Sequence, residues 1–204
     1  MVDDRRALGL AADALLAGLP IVIPTETVYG VAARPDVPGA TAALFALKGR
    51  PQDAPLAVLV ASMAQAEALF ESAPLSAQRL AAVWWPGPLT VILRRRPGLD
   101  IDLGADTATV GVRCPDHDFV LELVRRIGPI AATSANRHGR PTPPTAAEAA
   151  ASLAGPVTLV VDGGPCRGRP STVVDCTGDD VRIVREGALD ADAVLRAAHG
   201  PTVR

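Results

Sequence analysis

Residues 172–184 have the sequence TVVDCTGDDVRIV, and this stretch separates a purely parallel α/β sheet from a mixed one. Two runs rich in Val and Ile, 172–175 and 181–184, flank a polar segment of five residues. The pattern predicts an antiparallel hairpin, since a parallel pair needs a crossover of about a dozen residues or more. A sheet that contains this hairpin has strands of both directions.

Outward from the hairpin, helical and strand-like segments alternate along the chain. Apolar periodicity predicts helices at residues 3–17, 40–47, 62–71, 76–85, 116–126, 145–153 and 190–198, with Ser62 and Asp116 as N-caps. Short apolar runs predict strands at residues 20–24, 56–60, 89–93, 108–112, 129–133 and 157–161. We therefore expect an α/β fold with a mixed parallel and antiparallel sheet and flanking helices.

Bulk composition predicts one globular domain over residues 1–204. The chain is 49% hydrophobic with a mean hydropathy of +0.24, far from the composition of disordered chains. Its formal charge is −2 and its pI is near 5.9, which does not favour a broad nucleic-acid surface. Any contact with a polynucleotide is expected to be local or weak.

Signals for export, membrane insertion and structural metal are missing from the sequence. The most apolar early window, 14–24, is interrupted by Gly18 and Pro20 and is too short for a membrane helix. The cysteines at 114, 166 and 176 form no CxxC pair, and the three histidines are scattered singly. We expect a protein of the reducing cytoplasm with no membrane contact, no disulfide framework and no zinc site.

Three polar loops follow predicted strands or a helix. They are PTETVYG at 24–30, KGRP at 48–51 and TSAN at 133–136. Taken singly, each fits an ordinary strand exit, solvated helix end or turn as well as a ligand site. The glycine-rich, basic stretch 163–169 could contact phosphates, but its composition favours a plain turn. No P-loop, GxGxxG or GxSxG motif occurs, so nucleotide would have to be held by scattered cations and polar loops.

In combination and in order, the motifs resemble the YrdC-like family of threonylcarbamoyl-AMP synthases. The matching pieces are PTETVYG (24–30), KGRP (48–51), WPGPLTVIL (85–93), VGVRCPDH (110–117), TSAN (133–136), STVVD (171–175) and VREG (184–187). The resemblance implies a twisted mixed sheet of the YrdC/DHBP synthase type around a concave basic site. It also implies a nucleotidyltransferase that makes threonylcarbamoyl-AMP and pyrophosphate from L-threonine, bicarbonate and ATP, for tRNA threonylcarbamoyladenosine modification.

Carried over by position, the resemblance assigns roles to particular side chains. It implies Lys48 and Arg50 as catalytic residues. It implies threonine contacts from Thr27, Arg113, Ser134 and Ser171, and ATP contacts from Arg50, Thr109, Asn136 and Arg185. Magnesium is expected to arrive with ATP, held by phosphates and water, without a protein metal site. Three positions depart from the family pattern, namely Ala54 in place of Asn, Leu59 in place of His, and His138 in place of a small hydroxyl residue.

The expected chemistry needs no protein nucleophile. A carbamate formed from threonine and bicarbonate attacks the α-phosphorus of ATP, and Lys48, Arg50 and Arg185 stabilise the developing negative charge. A separate threonylcarbamoyl transferase is expected to consume the product. Two other readings stay open on the sequence. One is a carbamoyl-transfer domain of the hydrogenase-maturation type, and the other is an RNA-binding assembly factor.

Overall fold

The computed structural model describes residues 4–51, 54–105, 108–166 and 168–200. The predicted helix start at Asp3 and the basic residue Arg167 lie outside these ranges. The helices are α1 (Asp4–Leu16), α2 (Ala40–Lys48), α3 (Met63–Ala66), α4 (Leu75–Trp84), α5 (Asp118–Ile127), α6 (Ala146–Ala151) and α7 (Ala191–His199). The strands are β1 (Ile21–Ile23), β2 (Gly30–Ala33), β3 (Ala57–Leu59), β4 (Leu89–Arg94), β5 (Thr109–Arg113), β6 (Ile130–Ser134), β7 (Leu159–Val160), β8 (Thr172–Asp175) and β9 (Arg182–Arg185).

All nine of these strands form one mixed sheet in the order β7-β1-β2-β6-β3-β5-β4-β8-β9. The pairs β1–β7, β3–β5 and β4–β8 are parallel, and the other five pairs are antiparallel. The predicted hairpin is the antiparallel pair β8–β9. The mixed α/β fold expected from that hairpin is confirmed.

The sheet separates two apolar clusters. Ile21 and Ile23 of β1 join α1 and α5 in one cluster, while Val22 between them joins the larger cluster on the other side. This division follows from the two-residue period of a strand. Most of the buried side chains are aliphatic, and burying each Leu or Ile stabilises the fold by about 1.5–3 kcal/mol.

Helix ends largely follow the predicted capping signals, with two corrections. Ser62 caps α3 by accepting a hydrogen bond from the Gln65 amide, but the helix ends at Ala66 instead of continuing to residue 71. Beyond it the chain turns so that buried Phe70 bridges to Arg95. Asp116 is not the cap of α5, because the helix begins one residue later, after His117.

Strand β2 was not predicted from the sequence. Its first residue, Gly30, is the last residue of the predicted polar loop 24–30, and residues 31–33, all small or β-branched, were assigned to no element. All four residues of the strand are buried, and their pairing with both β1 and β6 places the loop at the edge of the cleft described below. No helix in the described ranges is long and apolar enough to cross a membrane.

Candidate active site

One face of the sheet forms the floor of a cleft of about 340 Å³. The floor is low because three small residues from neighbouring strands, Ala132, Ala57 and Gly111, lie side by side in register. Alternation along β5 turns Thr109, Gly111 and Arg113 towards the cleft, while Val110 and Val112 enter the core. The sheet thereby provides open space bordered by polar side chains.

Arg113 is fixed at one end of the cleft by three acceptors. Its Nη2 donates to Glu26 Oε1 at 2.7 Å and to Thr27 Oγ1 at 3.0 Å, and its Nε donates to the Gly87 carbonyl at 3.2 Å. Thr25 donates its hydroxyl proton to the Val28 carbonyl at 2.6 Å, so Thr27 is the donor in their 2.8 Å contact. These bonds preorganise a guanidinium whose Nη1 takes part in none of them.

A second polar group forms where β8 begins. The Ser171 hydroxyl lies 2.9 Å from Thr90 Oγ1 and accepts a hydrogen bond from Arg185 Nη2 at 3.0 Å. Arg185 also donates from Nε and Nη2 to the Ser171 carbonyl. Burial lowers the pKa of Arg185, and the positive charges of Arg113 and Arg50 lower it further, so three guanidinium groups act on one another across the cleft.

Lys48 connects the end of α2 to the loop that follows β6. It is 98% buried, and its Nζ donates to the Ser134 carbonyl and to Asn136 Oδ1, the latter at 3.1 Å. Asn136 in turn donates from Nδ2 to the carbonyls of Arg137 and Arg140. Burial, with a smaller contribution from Arg50, lowers the pKa of Lys48 to about 8. The amine therefore orders the loop that carries Ser134.

Arg50 lies on the cleft wall and contacts Ala54, one of the departures from the family pattern. Its Nε donates to the Ala54 carbonyl at 2.9 Å and its Nη2 to the Pro55 carbonyl at 3.3 Å. These contacts use backbone oxygens, so they do not require the Asn side chain common at position 54. Leu59 also lines the cleft and makes that part of the wall apolar. His138 is exposed, and its amide donates to the Lys48 carbonyl.

Three glycines of the glycine-rich stretch, Gly163, Gly164 and Gly168, lie against the loop 24–29. The Tyr29 hydroxyl donates to the Gly164 carbonyl at 2.6 Å and accepts from the Gly163 amide at 3.1 Å. A Cβ atom at Gly168 would lie 2.6 Å from the Thr27 carbonyl oxygen, so only glycine permits this approach. These contacts hold the glycines against the loop that carries Thr27.

The residues singled out from the sequence fall into two layers. Six of them line the cleft, namely Arg50, Thr109, Arg113, Ser134, Ser171 and Arg185. Thr27, Lys48 and Asn136 are buried behind it and hydrogen-bonded to residues of the lining or its loops. Sequence reasoning overlooked Glu26 and Thr90. Glu26 had a usable signal, because it is the one charged residue within the PTETVYG motif.

Metal ligands do not cluster in the part of the chain that the structure describes: no group of three His, Cys, Asp or Glu side chains there is placed to hold an ion. The cleft instead presents cationic donors, which suit phosphate and carboxylate oxygens.

Comparison with known proteins identifies the family. Residues 13–187 match the Sua5/YciO/YrdC family model, described as telomere recombination. The chain belongs to this family. A Mycobacterium tuberculosis relative is 39% identical over 194 residues, which are 94% of this chain and 89% of the relative. The threonylcarbamoyl-AMP synthase of Bacillus subtilis is 41% identical over 184 residues, 89% of this chain and 53% of that protein.

Solved structures of the Sua5/YciO/YrdC family agree with the fold. Sua5 from Pyrococcus abyssi, crystallised with L-threonine, superposes with a TM-score of 0.87 at 35% identity, over 95% of this chain and 57% of Sua5. This chain thus spans about half the length of the Bacillus and Pyrococcus proteins. Full-length HypF matches 89% of this chain and 29% of its own, with a TM-score of 0.77 at 20% identity, which shows a shared fold alone.

Proposed function

We propose that this protein is a threonylcarbamoyl-AMP synthase, a nucleotidyltransferase that joins L-threonine, bicarbonate and ATP. One observation carries the proposal: Arg50, Arg113 and Arg185 converge on a single cleft that also presents the hydroxyls of Thr90, Ser134 and Ser171. Such a site suits a carboxylate and a polyphosphate together. The relatives named as threonylcarbamoyl-AMP synthases support the assignment over carbamoyl transfer or RNA binding.

Two sets of residues at the cleft suit different substrates. Arg113 offers a planar guanidinium to the threonine carboxylate, with Thr27 behind it and the hydroxyls of Ser134 and Ser171 as further contacts. Arg50, Thr109 and Arg185 hold ATP, with Asn136 and Lys48 behind the loop that follows β6. Magnesium accompanies ATP and, when bound, neutralises part of its phosphate charge.

Catalysis in this proposal rests on position and charge. The carbamate oxygen forms a bond to the α-phosphorus while the bond to the bridging oxygen of pyrophosphate breaks. Negative charge grows on the leaving group, where the fixed guanidinium groups stabilise it without reorganisation. Lys48 contributes by ordering the Ser134 loop, and its own ammonium adds positive potential near the site.

The unstable adenylate has to be consumed by a further enzyme. A threonylcarbamoyl transferase that modifies tRNA is the proposed recipient, in the cytoplasm, with no membrane partner. A net charge of −2 limits direct RNA binding to a local contact, which would weaken steeply with added salt.

Pyrophosphate release tests the function directly. The purified protein is incubated with ATP and magnesium, and threonine and bicarbonate are omitted in turn. We expect release only when both are present, and formation of a product that contains AMP. Release that continues without threonine contradicts the proposal. Release driven by carbamoyl phosphate in place of threonine and bicarbonate would indicate carbamoyl transfer instead.

A further inference from the structure

Glu26 carries a buried oxygen that has no protein partner. Its Oε1 accepts from Arg113, but its Oε2 is buried and makes no hydrogen bond within the described residues. An unmade hydrogen bond at a buried polar atom costs about 1–3 kcal/mol, and more for a charged group. An orphan of this kind in a native site is explained when a ligand supplies the missing donor.

Glu26 interacts electrostatically with His117, whose Nδ1 is also buried without a partner, but no hydrogen bond joins the two side chains. The charges that line the cleft indicate a donor from a ligand. The described side chains that line the cleft include three arginines and no acid. Glu26 follows Thr25, which lines the cleft, and contacts Arg113, which also does. It is therefore a carboxylate in direct contact with the cationic wall, and it attracts a cationic group of a ligand that enters there.

The ligand class that matches this pair is an α-amino acid. Its ammonium and carboxylate groups are attached to the same carbon atom, so a guanidinium and a carboxylate in contact with one another complement them. We propose that Glu26 accepts a hydrogen bond from the ammonium group of the substrate amino acid while Arg113 binds its carboxylate. This inference rests on the proposed function and assigns the substrate contact of one further residue.

Glu26 does not itself line the cleft, so the proposed contact requires its side chain to turn towards the ligand. The terminal torsion of a Glu side chain is broad, so the carboxylate can turn towards the cleft and keep an oxygen on Arg113. Thr27 Oγ1 and the Gly87 carbonyl still hold the guanidinium during that rotation. The amine is thereby oriented by the same residue pair that orients the carboxylate.

Calorimetry with two ligands tests the assignment. L-threonine carries the amine, and 3-hydroxybutyrate has hydrogen in its place. Glu26→Gln keeps the size of the side chain and an acceptor for Arg113 but removes the negative charge. We expect Glu26→Gln to weaken threonine binding by about tenfold or more and 3-hydroxybutyrate binding by less than about threefold. Glu26→Asp should retain part of the preference for threonine.

The controls separate the alternatives. Glu122→Gln removes an exposed carboxylate on α5, 3.6 Å from Arg125, and should leave both affinities unchanged. Equal losses for both ligands in Glu26→Gln would mean that Glu26 only orients Arg113, and would overturn the inference. Failure of the wild-type protein to bind threonine would overturn the proposed function as well. Melting curves establish that each variant is folded, and Glu26→Ala, which also removes the negative charge, replaces Glu26→Gln if the latter is not.

Discussion

Gly111 lies on the floor of the cleft, where any side chain would occupy ligand space. A Cβ atom there would meet Thr90 Cγ2 at 3.5 Å, Ile92 Cγ1 at 3.9 Å and the Ala57 Cα at 4.0 Å, all ordinary contacts. We therefore expect Gly111→Ala to keep or raise the free energy of unfolding, by up to about 1 kcal/mol. Binding of threonine or ATP should weaken by about 1–3 kcal/mol through overpacking.

Urea unfolding and calorimetry on the Gly111→Ala variant measure these two effects separately. Gly9→Ala is the matched control, because Gly9 lies in α1 and its added Cβ would contact nothing within 4 Å. It should stabilise the helix without any effect on binding. Normal affinity in Gly111→Ala would show that ligands do not reach the floor.

Substitution of Arg50 tests whether catalysis requires the paired donors of a guanidinium or only a positive charge. Its guanidinium is held by the carbonyls of Ala54 and Pro55, an arrangement that a lysine cannot reproduce. We expect Arg50→Lys to lower pyrophosphate release by about tenfold or more, equivalent to roughly 1.4 kcal/mol of transition-state stabilisation, in a folded protein. Arg182→Lys, at an exposed ion pair with Asp175, should behave as wild type. Near-normal turnover of folded Arg50→Lys would remove this residue from the mechanism.

At the residue level, the sequence predicted which side chains belong to the site better than it predicted how deeply each is buried. The cationic residues of the cleft were recognisable only as parts of the ordered family motifs, because each arginine alone fitted ordinary surface or a solvated helix end. The burial of Lys48 behind Ser134 was not, because it depends on how α2 packs against the exit of β6. Glu26 was overlooked for the same reason, since its contact with Arg113 joins residues 87 positions apart.

Among the elements, the hairpin β8–β9 depends on a close backbone approach at its end. A Cβ atom at Gly187 would lie 2.4 Å from the Pro170 carbonyl oxygen, the Ser171 carbonyl carbon and the Thr172 nitrogen. Gly187→Ala should therefore shift the backbone that holds Ser171 and Arg185. We expect a loss of about 1–3 kcal/mol in unfolding free energy together with weaker ATP binding, measured by urea unfolding and calorimetry. Unchanged stability would contradict this account, and Gly111→Ala provides the contrast of a fitting Cβ.

Lys48 links α2 to the loop after β6, and its titration should be visible in stability. The unfolded chain holds this proton up to a pKa near 10.5, whereas in the folded protein burial lowers the pKa to about 8. Between these values the unfolded state binds more protons, so stability rises with pH by at most about 1.4 kcal/mol for each unit. Below pH 8 this contribution is constant and unfavourable.

Comparison with Lys48→Met isolates the effect. We expect the unfolding free energy of the wild type, relative to the variant, to rise as pH increases from about 8 to 10.5. Burial raises the pKa of Cys114 to about 11 and that of Tyr29 to about 12, so these groups act with the opposite sign, but they are common to both proteins. A flat difference in urea unfolding over this range would mean that the buried amine titrates normally.

The helices and strands predicted from the sequence are those whose signals lie within a few residues of one another along the chain. Helices α6 and α7 are N-capped by Thr145 and Asp190, whose side chains accept hydrogen bonds from the amides of Glu148 and Ala193. Strand β2 has no such signal, because four small buried residues become a strand only through pairing with β1 and β6. The strand order of the sheet could not be predicted either, because it depends on pairing between strands that are distant in sequence.

On the scale of the whole molecule, charge is distributed unevenly. The chain has a net charge of −2, yet Arg50, Arg113 and Arg185 are directed into one cleft. Mutual repulsion of these cations is a cost in the empty protein that an anionic ligand relieves. Bound ligand is therefore expected to stabilise the native state. This stabilisation could extend to the whole sheet or be confined to the hairpin β8–β9.

The cleft borders strands from β2 to β9, across most of the sheet, so ligand binding should be linked to global unfolding. At a ligand concentration of 100 times Kd, stability rises by about 2.7 kcal/mol. We expect far-ultraviolet circular dichroism and the fluorescence of Trp84 and Trp85 to report one coincident thermal transition, shifted upwards together by ATP. Arg185→Met should show the same single transition with a smaller shift. If the hairpin β8–β9 formed a separate unit, the two signals would diverge and ATP would move only one of them, because Trp84 and Trp85 lie at the end of α4 and not in the hairpin.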